Sequence, residues 1–452
     1  MSELSRRAFV TAALAALAGR SARAAVRVPS GGALRLPLHA TRRVLDPALA
    51  VDHADVAPLA LTHDWLARFT AAGVDHPMLV EPPIVERAGR AAAARLVLRP
   101  GMRFSDGAPV DAAAVARAWT LARASSSGRL ALALLDTGAP VTVRAPLELV
   151  VRLHDAARVD DFLAAPPMAV AGRAARGARA GVGAFSPRAN PGALGRNDLC
   201  PTGAAWLDGL TLSAPTARNE EIRRFTTQAL DASWWGASLY ELSRPAQRVV
   251  GAGGPVVGLV PELSSALATA PAARGLERLL ADLHGEGGPL LPMGLAPGDV
   301  SAALSSARLN DLLAARPGNL RSTLRVGRDP GDGALVDLAE RIVATLDRAG
   351  VRAAIVDPPA ACDVSLRAVT PVAADASFAL ASLLAASGVG DQSGAEGIMR
   401  GGGSGYAAAV WGRSVVAVLG RRAPVIYLRE GVAGARFDPL GRLSLCDAWV
   451  RG

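Results

Sequence analysis

Residues 96–123, LVLRPGMRFSDGAPVDAAAVARAWTLAR, constrain this chain more than any other stretch. Leu96, Val97 and Leu98 read as a short strand running into the turn Arg99-Pro100-Gly101. Phe104-Ser105-Asp106-Gly107 predicts a second tight turn, where Asp bonds its own backbone and Gly accepts a positive φ. Asp111, just after Pro109, is a natural N-cap because its carboxylate accepts from the unpaired N–H groups of a first helical turn. Val115, Ala118, Trp119 and Ala122 then recur at helical spacing. The composite is strand, double turn, capped helix.

That string resembles the signature of the bacterial extracellular solute-binding proteins of family 5, the oligopeptide-, dipeptide- and nickel-binding components of ABC importers. Leu98, Arg99, Gly101, Phe104, Asp106, Gly107, Pro109, Ala112, Val115 and Trp119 match the family pattern in order, while Ala114 stands where the family has Asp. Leu45-Asp46-Pro47-Ala48 and Leu66-Ala67-Arg68-Phe69 are similar to the family's opening turn and to the end of the helix that follows it. Gly181-Val182-Gly183-Ala184-Phe185, Arg196-Asn197-Asp198, Trp206 to Leu212 and Pro424-Val425-Ile426-Tyr427 continue the likeness. The resemblance implies an α/β, two-lobed periplasmic binding protein-like fold of type II, with mixed sheets and an inter-lobe cleft, in a divergent and shortened member. It implies a first lobe over 25–250 with an inserted subdomain at about 60–140, a trimmed second lobe over 251–423, and a return to the first lobe over 424–452.

Composition agrees with a large globular chain. At 452 residues, half of them apolar, it can bury the cores of two or more lobes. Every basic side chain is arginine. The net charge of +9 falls to about +6 without the first 24 residues, which hold four arginines and Glu3. The remaining arginines are scattered, with few aromatics among them, so a solvated surface is the reading and no nucleic-acid partner is expected. Arg6-Arg7, the apolar run from Ala12 to Ala18 and Ala22-Arg23-Ala24 read as a twin-arginine signal cleaved after Ala24. The mature protein is expected in the periplasm.

Residues 141–153 predict a hairpin around Ala145-Pro146, and the Gly-, Ala- and Arg-rich residues 171–180 read as a loop. Residues 324–356 read as a βαβ unit whose helix carries Leu335, Leu338, Ala339, Ile342, Val343 and Leu346 as one apolar stripe, with Gly350 as its stop. Chemistry-bearing constellations are missing. Gly402-Gly403-Ser404-Gly405 fails as a nucleophile elbow because Tyr406 takes the last position. His53, His63 and His76 are spaced too irregularly for a helix-face metal site, and Cys200, Cys362 and Cys446 lack zinc spacing. No enzyme activity, cofactor or metal is therefore expected. Cys200 and Cys446 are both placed in the first lobe, where a disulfide and free thiols remain alternatives.

The candidate ligand-binding residues are Trp234, Trp235, Asp375, Arg367, Trp411 and Tyr427. Adjacent Trp234 and Trp235 on a strand point to opposite faces, so groove lining and lobe packing both remain open. Asp375 falls where the family has an acidic residue that salt-bridges a peptide's α-amino group, and it is equally placed to cap a helix. The resemblance implies a periplasmic receptor that encloses a small, peptide-like solute and delivers it to an inner-membrane permease. The alternative is a degenerate binding-protein scaffold that acts as a sensor or partner-binding subunit without transport.

Overall fold

The computed structural model describes residues 31–38, 45–50, 52–70, 72–89, 91–136, 140–175, 178–190, 192–213, 218–234, 246–284, 289–297, 303–315, 323–328, 333–357, 361–389 and 391–451. The predicted signal peptide and Trp235 lie outside them.

The 96–123 stretch folds as its sequence dictates. The strand Ala91–Val97 buries alternate residues, Ala92, Ala94 and Leu96. Gly101 and Gly107 take φ of 79° and 85° in the two turns, a region that a side chain would strain. Asp111 caps the helix Ala112–Ala122 by accepting from the Ala114 N–H at 2.6 Å. Trp119 is buried, meets Phe162 edge-to-face at 5.0 Å and donates its indole N–H to the Met168 carbonyl at 2.9 Å. A wide aromatic can go fully inside only when its polar edge finds such an acceptor. The strand joins Ile84–Ala88, Glu148–Leu153 and Val141–Ala145 in a four-stranded antiparallel sheet, the last two being the predicted hairpin.

Two stretches depart from expectation. Residues 171–180 are not a loop but an antiparallel ribbon, Ala171–Ala175 with Ala178–Gly181. Its small residues permit close packing: a Cβ at Gly181 would lie 2.0 Å from the Thr62 carbonyl oxygen. The helix His53–Thr62 stops well before Leu66, because His63 takes an extended conformation, and Arg68–Thr70 is a strand.

The first lobe holds a sheet in the order Ala33–Leu36, Gly209–Leu212, Ala193–Arg196, Phe185–Pro187. The second is built on five strands in the order Ala353–Val356, Leu324–Gly327, Val364–Val369, Val256–Pro261, Ala417–Arg421. The helix Gly333–Arg348 crosses between two of these strands with Leu335, Leu338, Ala339, Ile342 and Leu346 buried, and Gly350 ends it at φ 82°. A third sheet, Ala232–Ser233, Val425–Arg429 and Ala246–Val250, brings the late strand back against the first-lobe core.

Both lobes start a strand with the same device. Asp231 accepts from the Arg35 backbone N–H at 2.7 Å and from its guanidinium at 2.7 Å, and donates its own N–H to the Arg35 carbonyl at 2.9 Å. Asp363 repeats this on Arg325, at 2.7, 2.9 and 2.9 Å. Both carboxylates are buried, and Arg429 adds a second cation 3.0 Å from Asp231. Each arginine sits between apolar neighbours, Leu34 and Leu36 or Leu324 and Val326, which are buried on the opposite face of the strand.

Apolar packing partitions unevenly. One core surrounds the first-lobe sheet and includes Leu34, Leu36, Phe185, Leu210 and Ile426. Another fills the far side of the five-stranded sheet. The four-stranded sheet with helices Ala112–Ala122, Ser126–Leu132 and Val159–Ala164 is called the subdomain from here on. The largest core is continuous from its Trp119, Phe162 and Leu130 to Phe378, Leu383 and Val256 of the second lobe, with helix Ser126–Leu132 packed on helix Ala376–Ser387. All three cysteines are free thiols. Replacing Asp231 with Ala strips two arginines of their buried acceptor and is expected to cost about 3 kcal/mol of unfolding free energy. The midpoint of urea unfolding measures it, and a loss under about 1 kcal/mol would reduce the pair to a surface contact.

Candidate ligand site between the lobes

The first and second lobes meet through polar groups. Asp52, at the N-cap of helix His53–Thr62, receives the Arg367 guanidinium at 2.8 and 3.0 Å on its two oxygens. Arg367 is held from its own side by the Ala386 carbonyl at 2.6 Å. Next to this pair, His53 Nδ1 lies 2.8 Å from Thr370 Oγ1. Both contacts join residues more than 300 positions apart, and both use side chains that water could equally satisfy.

A second polar junction lies between the subdomain and the second lobe. Arg158 binds Asp161 at 3.1 Å, approaches Asp375 at 3.8 Å and stacks its guanidinium 4.4 Å from the Phe378 ring centre. Asp375 caps helix Ala376–Ser387, accepting from the Ser377 N–H at 2.8 Å. Arg158, Asp375, Phe378 and Met399 border a cavity of about 180 Å³. Burial pushes the Asp161 carboxyl up to about 6, against the pull of Arg158 and with help from Asp375 and Asp160.

The sequence candidates separate into two groups. Arg367 and Asp375 both lie on the face of the second lobe that meets the rest of the molecule. Trp234, Trp411 and Tyr427 do not join them. Trp234 packs into the first-lobe core, 6.4 Å from Phe437, with its indole N–H on the Pro37 carbonyl at 2.8 Å. Tyr427 is buried in the middle strand of the return sheet, opposite Ser233 and Arg248. Trp411 is buried inside the second lobe with its N–H on Glu277 at 2.8 Å.

Asp52, Thr370 and Arg158 were not singled out by sequence, and His53 was weighed only as a metal ligand. Asp52 and Asp55 carry a capping-box signal that would have located a helix start. Nothing in one sequence links that helix start to Arg367. The Gly181–Phe185 turn packs tightly on the end of helix His53–Thr62: the Gly183 N–H reaches the Thr62 carbonyl at 2.9 Å, and a Cβ there would meet Thr62 at 2.4 Å. It borders a cavity of about 510 Å³ walled by Trp65, Arg68, Phe437 and Arg442. Arg442 spans this region, 4.0 Å over Trp65 and bonded to the Ala164 carbonyl at 2.9 Å.

No family model matches the sequence, and no curated protein matches it. Solved structures do match. The murein tripeptide binding protein MppA of Escherichia coli has a TM-score of 0.71 at 13% identity, covering 93% of this chain and 98% of that one. OppA of Haemophilus influenzae, in complex with RPPGFSPFR, has a TM-score of 0.73 at 11% identity, covering 94% and 100%. NikA of Staphylococcus aureus, in complex with Ni(L-His)2, has a TM-score of 0.70 at 12% identity, covering 93% and 100%. The fold is that of the two-lobed solute-binding proteins, in the form shared by family 5.

Asp161 supplies a pH test of the polar junction. Its folded carboxyl holds a proton more tightly than the ordinary 3.8, so the stability it confers is fully present below that value and is lost as pH rises through about 6. Asp161→Asn keeps a neutral group at every pH. Thermal melts across this range should show the wild type losing stability relative to the variant, and parallel curves would contradict the assignment.

Proposed function

We propose that this chain is the solute-binding component of an ABC importer, which captures a peptide-like or other small solute between its lobes and hands it to an inner-membrane permease. The observation that carries the reading is the match of more than nine tenths of the chain to binding proteins whose names or bound molecules include a murein tripeptide, a nine-residue peptide and a nickel–histidine complex. The inter-lobe contacts support it: charge pairs such as Asp52–Arg367 exchange readily for water or for a ligand's polar groups, as a cleft that opens and closes requires.

On this reading Arg367 and Asp375 are the second lobe's polar contacts for the solute, offering a cation for a carboxylate and a carboxylate for an amine. Trp235, which lies outside the described residues, remains a candidate stacking face from the sequence. Trp234, Tyr427 and Trp411 shape the lobes behind the cleft. On this reading residues 1–24 are a twin-arginine signal cleaved after Ala24, and the mature protein works in the periplasm. No helix among the described residues is long and apolar enough to cross a membrane.

A thermal-shift screen of the mature protein against di- to pentapeptides, nickel–histidine and oligosaccharides tests the proposal. A ligand at a hundred times its dissociation constant adds about 2.7 kcal/mol, so one class should raise the melting temperature in a saturable way. Silence from all three classes would favour the degenerate scaffold.

A further inference from the structure

Helix Ala270–Leu279, helix Ser404–Arg413 and the edge strand Ala417–Arg421 border, with residues 292–297, a cavity of about 660 Å³ within the second lobe. That volume lies in the range of small-molecule sites. The cavity contains neither Arg367 nor Asp375, and no first-lobe residue lines it. Leu280, Met293, Leu295, Val418 and Leu419 give it apolar walls.

One buried donor in its lining is left over. Arg274, only 3% exposed, donates through Nη1 to the Trp411 carbonyl at 2.7 Å and through Nη2 to the Val416 carbonyl at 2.6 Å. Nη2 also lies 2.9 Å from Glu277 Oε1, which accepts from the Trp411 indole at 2.8 Å and from the Val418 N–H at 2.6 Å. These contacts fix the guanidinium and the carboxylate to the protein. The third guanidinium nitrogen, Nε, is buried and meets no acceptor among the described residues, the one such side-chain atom in the cavity's lining. Nearly all buried N–H groups in folded proteins are paired, so an acceptor on a bound molecule gains most at this atom. Burial pulls the Arg274 guanidinium below its ordinary value despite Glu277, as expected of a cation short of acceptors.

Charge selects among acceptors. Glu277 already faces the Arg274 guanidinium, so a carboxylate at Nε would set two anions on one buried cation, and each would disfavour the other. Arg278 donates to the Leu304 carbonyl at 3.1 Å, and His284 Nε2 meets the Leu419 carbonyl, so both are engaged elsewhere. A neutral carbonyl oxygen meets the Nε–H without that repulsion and without the desolvation cost of an ion. We propose that this cavity is a second binding site for a neutral apolar molecule carrying a carbonyl (an aryl ketone, ester or lactone). The carbonyl oxygen accepts from Arg274 Nε, and the body packs against Met293, Leu295 and Leu419. The site does not depend on the inter-lobe reading, because it is built from second-lobe residues alone.

Benzophenone and 1,1-diphenylethylene are the probes, nearly alike in shape, with the C=O of the first replaced by C=CH2 in the second. Benzophenone also inserts into neighbouring C–H bonds under near-ultraviolet light, so peptide mass spectrometry reports where it sits. Irradiated with the mature protein, it should label Met293 or its neighbours in the cavity saturably. 1,1-Diphenylethylene should compete with an affinity at least about tenfold lower, a gap of 1.4 kcal/mol, and 4-benzoylbenzoate should bind more weakly than benzophenone. Ala303→Trp, which fills the cavity from its wall, should abolish the labelling while the melting temperature shows that the fold survives. Arg274→Lys, which keeps a cation and puts a methylene where Nε stands, should erase the preference for the ketone. The comparison of probes on the wild type decides even where a variant does not fold. Labelling that fails to saturate or falls outside the cavity, equal affinity for ketone and alkene, tighter binding of the carboxylate, or labelling that survives Ala303→Trp would each overturn the proposal and leave Arg274 Nε to water.

Discussion

Two buried carboxylates hold this architecture in register. Asp231 and Asp363 each grip the backbone and the guanidinium of an arginine one strand away. A one-residue slip would turn the strand over, driving Leu34 and Leu36, or Leu324 and Val326, to the wrong face. It would also carry the arginine off its carboxylate. The ion pair and the hydrophobic alternation therefore specify the same register, and each lobe is fixed by two independent terms. In the first lobe Arg429 joins from the return strand, so the same carboxylate also anchors the chain where it comes back.

With each lobe fixed internally, the contacts between them decide what can move. Subdomain and second lobe share one apolar core through Leu130, Phe162, Phe378 and Leu383. Separating them would expose large apolar surface, at about 25 cal/mol for each Å². First and second lobes instead meet at Asp52–Arg367 and His53–Thr370, which regain water when parted. Partly exposed ion pairs contribute about 1 kcal/mol or less. Of the two boundaries that the second lobe makes, the one with the first lobe is thus the weaker.

Much of the fold was legible in the sequence, and the reasons are local. The 96–123 composite carries its own turn glycines, its cap and its apolar period, and the helix Gly333–Arg348 its own stripe and stop. The ribbon at 171–181 was misread because its alanines and glycines carry no period-2 signal; Gly181 and Gly172 serve close packing on Thr62 and Phe104 instead. The site was far less legible. Asp375 reads as a cap or as a contact from sequence, and it caps a helix while also facing Arg158. Arg367 depends on Asp52, and Trp411 on Glu277 and Arg274; such partnerships between distant segments leave no trace in spacing. Two adjacent tryptophans in a chain with few aromatics drew attention to Trp234, yet its indole is spent on the Pro37 carbonyl.

Spin-label distances test where the molecule opens. Labels at exposed Leu199 and Leu263 span first and second lobes, and labels at Val143 and Leu263 span subdomain and second lobe, with the native cysteines replaced by serine. The ligand-free wild type should give one narrow distribution for each pair. Asp52→Asn with Arg367→Gln should add a longer population to the first pair only. A longer population between subdomain and second lobe, or an unchanged distribution between the lobes, would contradict the account.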